Sequence, residues 1–173
     1  YIEDSEISKF NMNCTKGIAP SAIFLSLFSQ ASTIHKMSGG AFDPTVMPLV
    51  NLWGFGSTPL NTNSPPEQSK IDEQLKQIGF DQVVVVGNRL KCLDDRMLDF
   101  SAIAKGYGVD LLARYLDERG INSYLIEIGG EIKSKGMKLQ DQPWRVAVEK
   151  PIENQRSVSK ILNLTNIGIA TSG

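Results

Sequence analysis

One stretch constrains this 173-residue chain more than any other. It is Leu98-Asp99-Phe100-Ser101-Ala102-Ile103-Ala104-Lys105-Gly106-Tyr107-Gly108-Val109. A strand-like end at 97–100 passes into a helical pattern that continues through Val109, Leu112, Tyr115 and Leu116. Ser101 has the chemistry of an N-cap, a hydroxyl that accepts a free N–H of the first turn. Small residues crowd the opening turns: Ala102, Ala104, Gly106 and Gly108. A helical glycine costs about 1 kcal/mol relative to alanine, so a pair of them needs a reason. The commoner reason is tight packing on a sheet. The other is a ligand. A helix start offers free N–H groups, and Asp99 and Lys105 flank this one with an acid and a cation, which suits a phosphate with a metal or ribose.

Composition narrows the partners. Lys and Arg number 18 against 19 Asp and Glu, a net charge of −1 with no long basic run, which argues against nucleic acid or an acidic membrane surface. At 41% hydrophobic and 21% charged residues, one domain or two small subdomains can bury a real core. No run of about eighteen apolar residues marks a membrane-spanning helix. Cys14 and Cys92 stand in no metal spacing, so two thiols and one disulfide both fit, and the compartment is not legible from them. The chain opens on Tyr1 and closes on Ala170-Thr171-Ser172-Gly173, inside an apparent strand and turn. Both ends read as cut, which leaves targeting open.

Taken in order, 1–16 reads as loop or short helix. Pro20 opens a helix with Ile23, Leu27, Ala31 and Ile34 on one stripe, widened by Phe24 and Phe28 and stopped by Gly39-Gly40. His35, the sole histidine, lies in its last turn and reads as a surface or capping residue that complements the dipole. The stretch SGGAFDPTVMPLVNLWGFG at 38–56 follows neither period and is apolar for a loop, as binding loops often are. Asp43-Pro44-Thr45 reads as a turn in which Asp43 accepts from backbone two residues on. Phe42, Trp53 and Phe55 suit either a pocket for a flat ring or the core, and the core is favoured for Trp53 and Phe55. A linker-like 57–68 precedes a short helix at 69–78. Val83 to Val86 reads as a strand buried on both faces, and Gly87-Asn88 turns it into a hairpin with 89–93. Strands follow at 123–128, 131–134, 144–149, 160–164 and 167–170. The order implies an α+β fold rather than regular βαβ alternation.

Several chemistries are excluded. A single histidine and two scattered cysteines make zinc sites and a Cys/His dyad improbable. Neither a dinucleotide GxGxxG after the first strand nor a P-loop is present. Asp43 and Asp99 are the best acids, each at the mouth of a turn, though both also serve as plain turn and cap residues. Gly129-Gly130 offers backbone to a ligand or makes an ordinary hairpin turn, with Glu127 and Glu131 on either side. Together these residues point to a pocket for a phosphate-bearing ligand with flat rings.

Three blocks give that ligand a name. The 38–56 stretch, LDFSAIAKGYGVDLLARYLDERGINSYLIEIGGEIKSKG at 98–136 and WRVAVEKP at 144–151 resemble the ApbE-like FAD:protein FMN transferases, once described as thiamine-biosynthesis lipoproteins. YIEDSEISKFN at the start and IGIATSG at the end match in the same order. The resemblance implies an ApbE-like α+β fold, with mixed or antiparallel sheets flanked by helices. It implies an enzyme that binds FAD and Mg²⁺, splits the pyrophosphate and passes FMN to a Thr or Ser hydroxyl of a target flavoprotein, releasing AMP. Implied targets are subunits of membrane redox pumps. The implied location is the periplasm, as a lipoprotein anchored at the inner membrane. Some members instead hydrolyse FAD to FMN and AMP, and a non-catalytic FAD-binding module is a further alternative. By the same resemblance Tyr1, Ala41, Phe42, Asp43, Asp99 and Lys105 contact FAD, and the carbonyl of Ala102 ligates magnesium, a hard oxygen for a hard ion.

Two departures stand out. Met47 occupies a position that is usually glycine in the family. The family also continues past ATSG with a HxIDPxTG motif carrying a catalytic histidine candidate, then an ADALST-like motif whose Asp and Thr bind magnesium. The expectation is therefore that 1–173 is the FAD-binding portion of such a domain, shortened at both ends, with its catalytic residues beyond Gly173.

Overall fold

The computed structural model describes residues 2–56, 64–150 and 157–171. Tyr1 and most of the linker-like segment lie outside them. The chain divides into two compact units, Tyr1–Ala102 and Ile103–Gly173.

The first unit begins with α1 (Glu6–Met12), whose cap Ser5 accepts the N–H of Ser8. Helix α2 (Ala22–Met37) starts at Ser21, whose hydroxyl accepts from Phe24 N–H. The Ser21 hydroxyl also donates to the Glu6 carboxylate, which ties the two helix starts together. Next come α3 (Met47–Leu52), α4 (Gln68–Leu75) and a 3₁₀ turn at Phe80–Gln82. The antiparallel hairpin of β1 (Val83–Val86) and β2 (Arg89–Cys92) follows. The core is aromatic. Phe24 packs against Phe10 and Phe100 with centroids 5.8 and 5.3 Å apart, beside the fully buried Leu90 and Leu98. Asn11 brackets Leu98, donating to its carbonyl and accepting its N–H at 2.9 and 2.8 Å. These bonds align the chain leading into Asp99.

The second unit holds α5, which runs Ser101–Glu118 across the division. Strands β3 (Tyr124–Ile128), β4 (Glu131–Lys135) and β7 (Gly168–Ile169) form a three-stranded antiparallel sheet in that order. Strands β5 (Trp144–Glu149) and β6 (Val158–Leu164) form a separate antiparallel pair. Val109 and Ala113 of α5 pack on Tyr124 and Ile126, with Leu116 and Ile128 at the margin. That spacing is the one that lines residues along one helix face. Polar ties reinforce the contact: Lys135 and the Tyr124 hydroxyl both donate to Asp117. The Lys135 bond holds the Asp117 carboxyl below its usual range, while burial raises the Tyr124 phenol.

The structure corrects four readings. The 38–56 stretch contains a helix, α3, because Pro48 is tolerated in its first turn and Met47 and Pro48 are buried there. Trp53 and Phe55 are not core: they are 47% and 78% exposed, carried outward where Gly54 leaves the helix at φ 80°. β1 is not buried on both faces, since Val85 and Val86 are about half exposed in a two-stranded hairpin. Ser101 is not the cap of α5 but its first residue, and its hydroxyl donates to Asp99 instead of accepting.

Cys14 and Cys92 form a disulfide, with Cα atoms 5.2 Å apart, closing a loop of 78 residues. By chain entropy a loop of that length adds about 4 kcal/mol. Reduction, or paired replacement by serine, is expected to lower the thermal midpoint of the protein by many degrees. A midpoint indifferent to reductant in a calorimetric scan would contradict this.

Candidate functional site

In the first unit the candidate residues converge on one loop. After α2 the chain reverses through Gly39 and Gly40, at φ 61° and 86°, which side chains rarely adopt. It then presents Ala41, Phe42 and Asp43. The Asp43 carboxylate is mostly buried and is met from several sides. Oδ1 accepts the Thr45 N–H and hydroxyl at 2.7 and 2.6 Å, and Oδ2 accepts the Phe80 N–H at 3.1 Å. His35 Nδ1 lies 4.0 Å from Oδ2. Thr45, fully buried, accepts the Gly79 N–H in turn at 2.8 Å. The turn expected at Asp43-Pro44-Thr45 is present, but the carboxylate also binds the distant 79–80 segment. A buried acid without donors is costly, and this one is satisfied. Its side chain is committed to shaping the loop.

The same loop meets the focal stretch. The Asp99 N–H donates to the Pro44 carbonyl at 2.7 Å. Asp99 Oδ1 accepts the Ser101 N–H at 2.8 Å, closing a turn that caps the start of α5, and the described bonds leave Oδ2 open. Asp43, Asp99 and the exposed Ala102 therefore share one unit, with Asp43 and Asp99 joined through Pro44. Tyr1 lies outside the described residues.

In the second unit Lys105 reaches the diglycine turn. Its ammonium donates to the Gly129 carbonyl at 2.8 Å and pairs with Glu131 at 3.2 Å. An ammonium has three donors, so one N–H remains for an anion. Gly130 N–H donates to Glu127, and the Thr171 hydroxyl donates to the Gly130 carbonyl at 3.0 Å. A Cβ on Gly130 would come 2.4 Å from that hydroxyl oxygen, so the position requires glycine. The two helical glycines divide. Gly108 has a packing reason, since a Cβ there would lie 3.3 Å from the Ile128 side chain, whereas one on Gly106 would meet nothing within 4 Å. Gly106 instead borders a cleft of about 380 Å³ with Asp110, Glu131 and Lys133.

Sequence reasoning missed two residues here. His35, read as a surface or capping residue, turns inward: Nδ1 bonds the Phe42 carbonyl at 2.7 Å. Thr45 was read only as part of the Asp43 turn, and its hydroxyl, which donates to Asp43 and accepts from Gly79, went unforeseen.

Among the described residues the chain is an α+β protein of helices and small antiparallel sheets. The model of the ApbE family matches residues 1–173, and the chain belongs to that family. It is 41% identical to the FAD:protein FMN transferase of Vibrio cholerae, covering all of this chain and 52% of that protein. It is 39% identical to the enzyme of that name in Haemophilus influenzae, again over all of this chain and 52% of that one. The solved flavin transferase ApbE from Vibrio cholerae superposes with a TM-score of 0.86 at 40% identity, over 100% of this chain and 56% of that one. The chain thus spans about half the length of the curated relatives it matches, and the expected ApbE-like α+β architecture is observed.

Thr45→Val keeps the shape but removes the hydroxyl between Asp43 and Gly79. Stranding a buried donor costs about 1–3 kcal/mol, so the variant is expected to unfold at correspondingly lower urea. Unaltered stability would show that the Asp43 network does not hold the loop.

Proposed function

We propose that the protein containing this chain transfers FMN from FAD to a Thr or Ser hydroxyl of a target flavoprotein. The observation that carries the reading is the Asp99 N–H bond to the Pro44 carbonyl, which joins the Ala41-Phe42-Asp43 loop to the 98–105 turn. Both segments are the ones that the family resemblance assigns to FAD. In this reading the acceptor oxygen attacks the flavin-side phosphorus. The bond to the bridging pyrophosphate oxygen breaks, AMP departs with that oxygen, and the hydroxyl proton passes to a base.

The chain's own residues supply binding and orientation. Ala41, Phe42 and Asp43 form the loop that contacts the ligand, Asp99 offers its open Oδ2, and the remaining N–H of Lys105 meets phosphate charge. Tyr1 is a further FAD contact in the same reading. For magnesium, the described residues provide one candidate oxygen, the Ala102 carbonyl. Among them no cluster of three or more His, Cys, Asp or Glu residues is arranged to hold a metal. Mg²⁺ binding draws on carboxylates as well as phosphates and waters, so these residues alone do not make a Mg²⁺ site, and the reading routes no step through the ion.

The disulfide supports an oxidising compartment, in line with a periplasmic protein anchored at the inner membrane by a lipid. Subunits of membrane redox pumps are the proposed targets.

The test mixes the full-length protein with FAD, Mg²⁺ and a domain bearing an acceptor threonine. Covalent FMN on that domain, seen by in-gel fluorescence and mass, is the expected result. Free FMN and AMP without labelling would make it an FAD pyrophosphatase, and bound FAD without turnover a carrier. Within the site, Asp99→Asn retains the Ser101 contact while removing the charge. It should weaken FAD binding about tenfold, the lower end for a hydrogen bond to a charged group, with little change in thermal midpoint. An unchanged FAD titration curve would remove Asp99 from the contacts.

A further inference from the structure

We propose that His35 is the positioning residue of the Ala41-Phe42-Asp43 loop, clamping the main chain of Phe42 in the shape that takes the flavin nucleotide. The proposal rests on the reading of that loop as an FAD contact. Both backbone polar groups of Phe42 end on the last turn of α2. Its carbonyl lies 2.7 Å from His35 Nδ1, and its N–H donates to the Ser38 hydroxyl oxygen at 3.0 Å. The Ser38 hydroxyl in turn donates to the His35 carbonyl at 3.0 Å. A carbonyl only accepts, so Nδ1 carries the proton. The Asp43 carboxylate, 4.0 Å from the same nitrogen, favours that placement.

The imidazole is itself held. Its side chain is 16% exposed, and its ring meets Phe80 edge-on with centroids 5.3 Å apart. Phe80 is buried and gives its N–H to Asp43. A closed circuit results, from His35 to Phe42, along the chain to Asp43, across to Phe80 and back to the imidazole. Without His35 the Phe42 carbonyl would lose its partner, and the two glycines before it would leave the loop many alternative conformations. The role requires a donor at the Nδ1 position and no proton transfer, which separates His35 from a catalytic histidine.

Three variants of the full-length protein test this by FAD titration and steady-state kinetics. His35→Ala should raise the FAD Kd and KM about tenfold with kcat nearly unchanged, as expected when a binding loop loses order rather than a reacting group. His35→Asn, whose amide nitrogen stands near Nδ1, should recover most of that loss. His35→Gln, whose nitrogen stands near Nε2, should not. Wild-type affinity in all three, or equal rescue by Asn and Gln, overturns the clamp. The His35 imidazole, assigned by its loss in His35→Asn, also supplies an independent readout, because nitrogen-15 spectra should show a protonated, hydrogen-bonded Nδ1. A proton on Nε2 alone overturns the proposal even where FAD binds. Failure of the wild type to bind FAD, with the Nδ1 signal intact, strikes the flavin reading and the flavin half of this proposal while leaving the His35–Phe42 bond standing.

Discussion

A carboxylate withdrawn from water has to be met by donors, and in the first unit that requirement falls on Asp43. Two N–H groups and one hydroxyl converge on it, from Thr45 next door and from Phe80 far along the chain. The loop after α2 is thereby fixed to the segment entering β1 without any strand pairing between them. Because Asp43 holds the turn at Pro44, the Pro44 carbonyl stands where the Asp99 N–H can reach it. Asp99 in turn orders the first residue of α5. A chain of ordinary hydrogen bonds thus carries position from the end of α2 to the start of α5.

This arrangement changes what an acidic residue in a motif means. The AFD triplet invites the reading that its aspartate faces the ligand. Here the carboxylate is spent on the fold. Asp99 is the opposite case, with one oxygen engaged locally and the other open. Lys105 combines both roles, fixed by Gly129 and Glu131 yet retaining a donor. The small residues divide in the same manner: Gly130 is held by its left-handed backbone beside Thr171 and Gly108 lies tight against Ile128, whereas Gly106 stands against open space.

Much of the framework was legible beforehand. The helix α2 and its glycine stop, the Gly87-Asn88 hairpin and β5 all follow from local rules, although Ile23 and Ile34 of the expected α2 stripe are exposed and Phe24 and Ala31 are its buried residues. The misread burials share a cause. Apolar residues were assigned to the core by type, but Trp53, Phe55, Val85 and Val86 are largely exposed. Hydrophobicity says that a side chain gains from burial, not that a neighbour is available to bury it. Ser101 failed differently. A hydroxyl both donates and accepts, and the nearby Asp99 carboxylate decided which it does.

The sequence by itself determined the α+β class and the family, because periodicity, turn residues and motif order are local properties. Tertiary structure decided which atoms within those segments remain available. Asp43 is occupied because Phe80 happens to fold against it, His35 faces inward because Phe42 returns to it, and Cys14 bonds Cys92 because a 78-residue loop closes. The Asp43–Phe80 and Cys14–Cys92 pairings are set by the path of the whole chain, and the His35–Phe42 contact, seven residues apart, is closed by the reversal at Gly39 and Gly40.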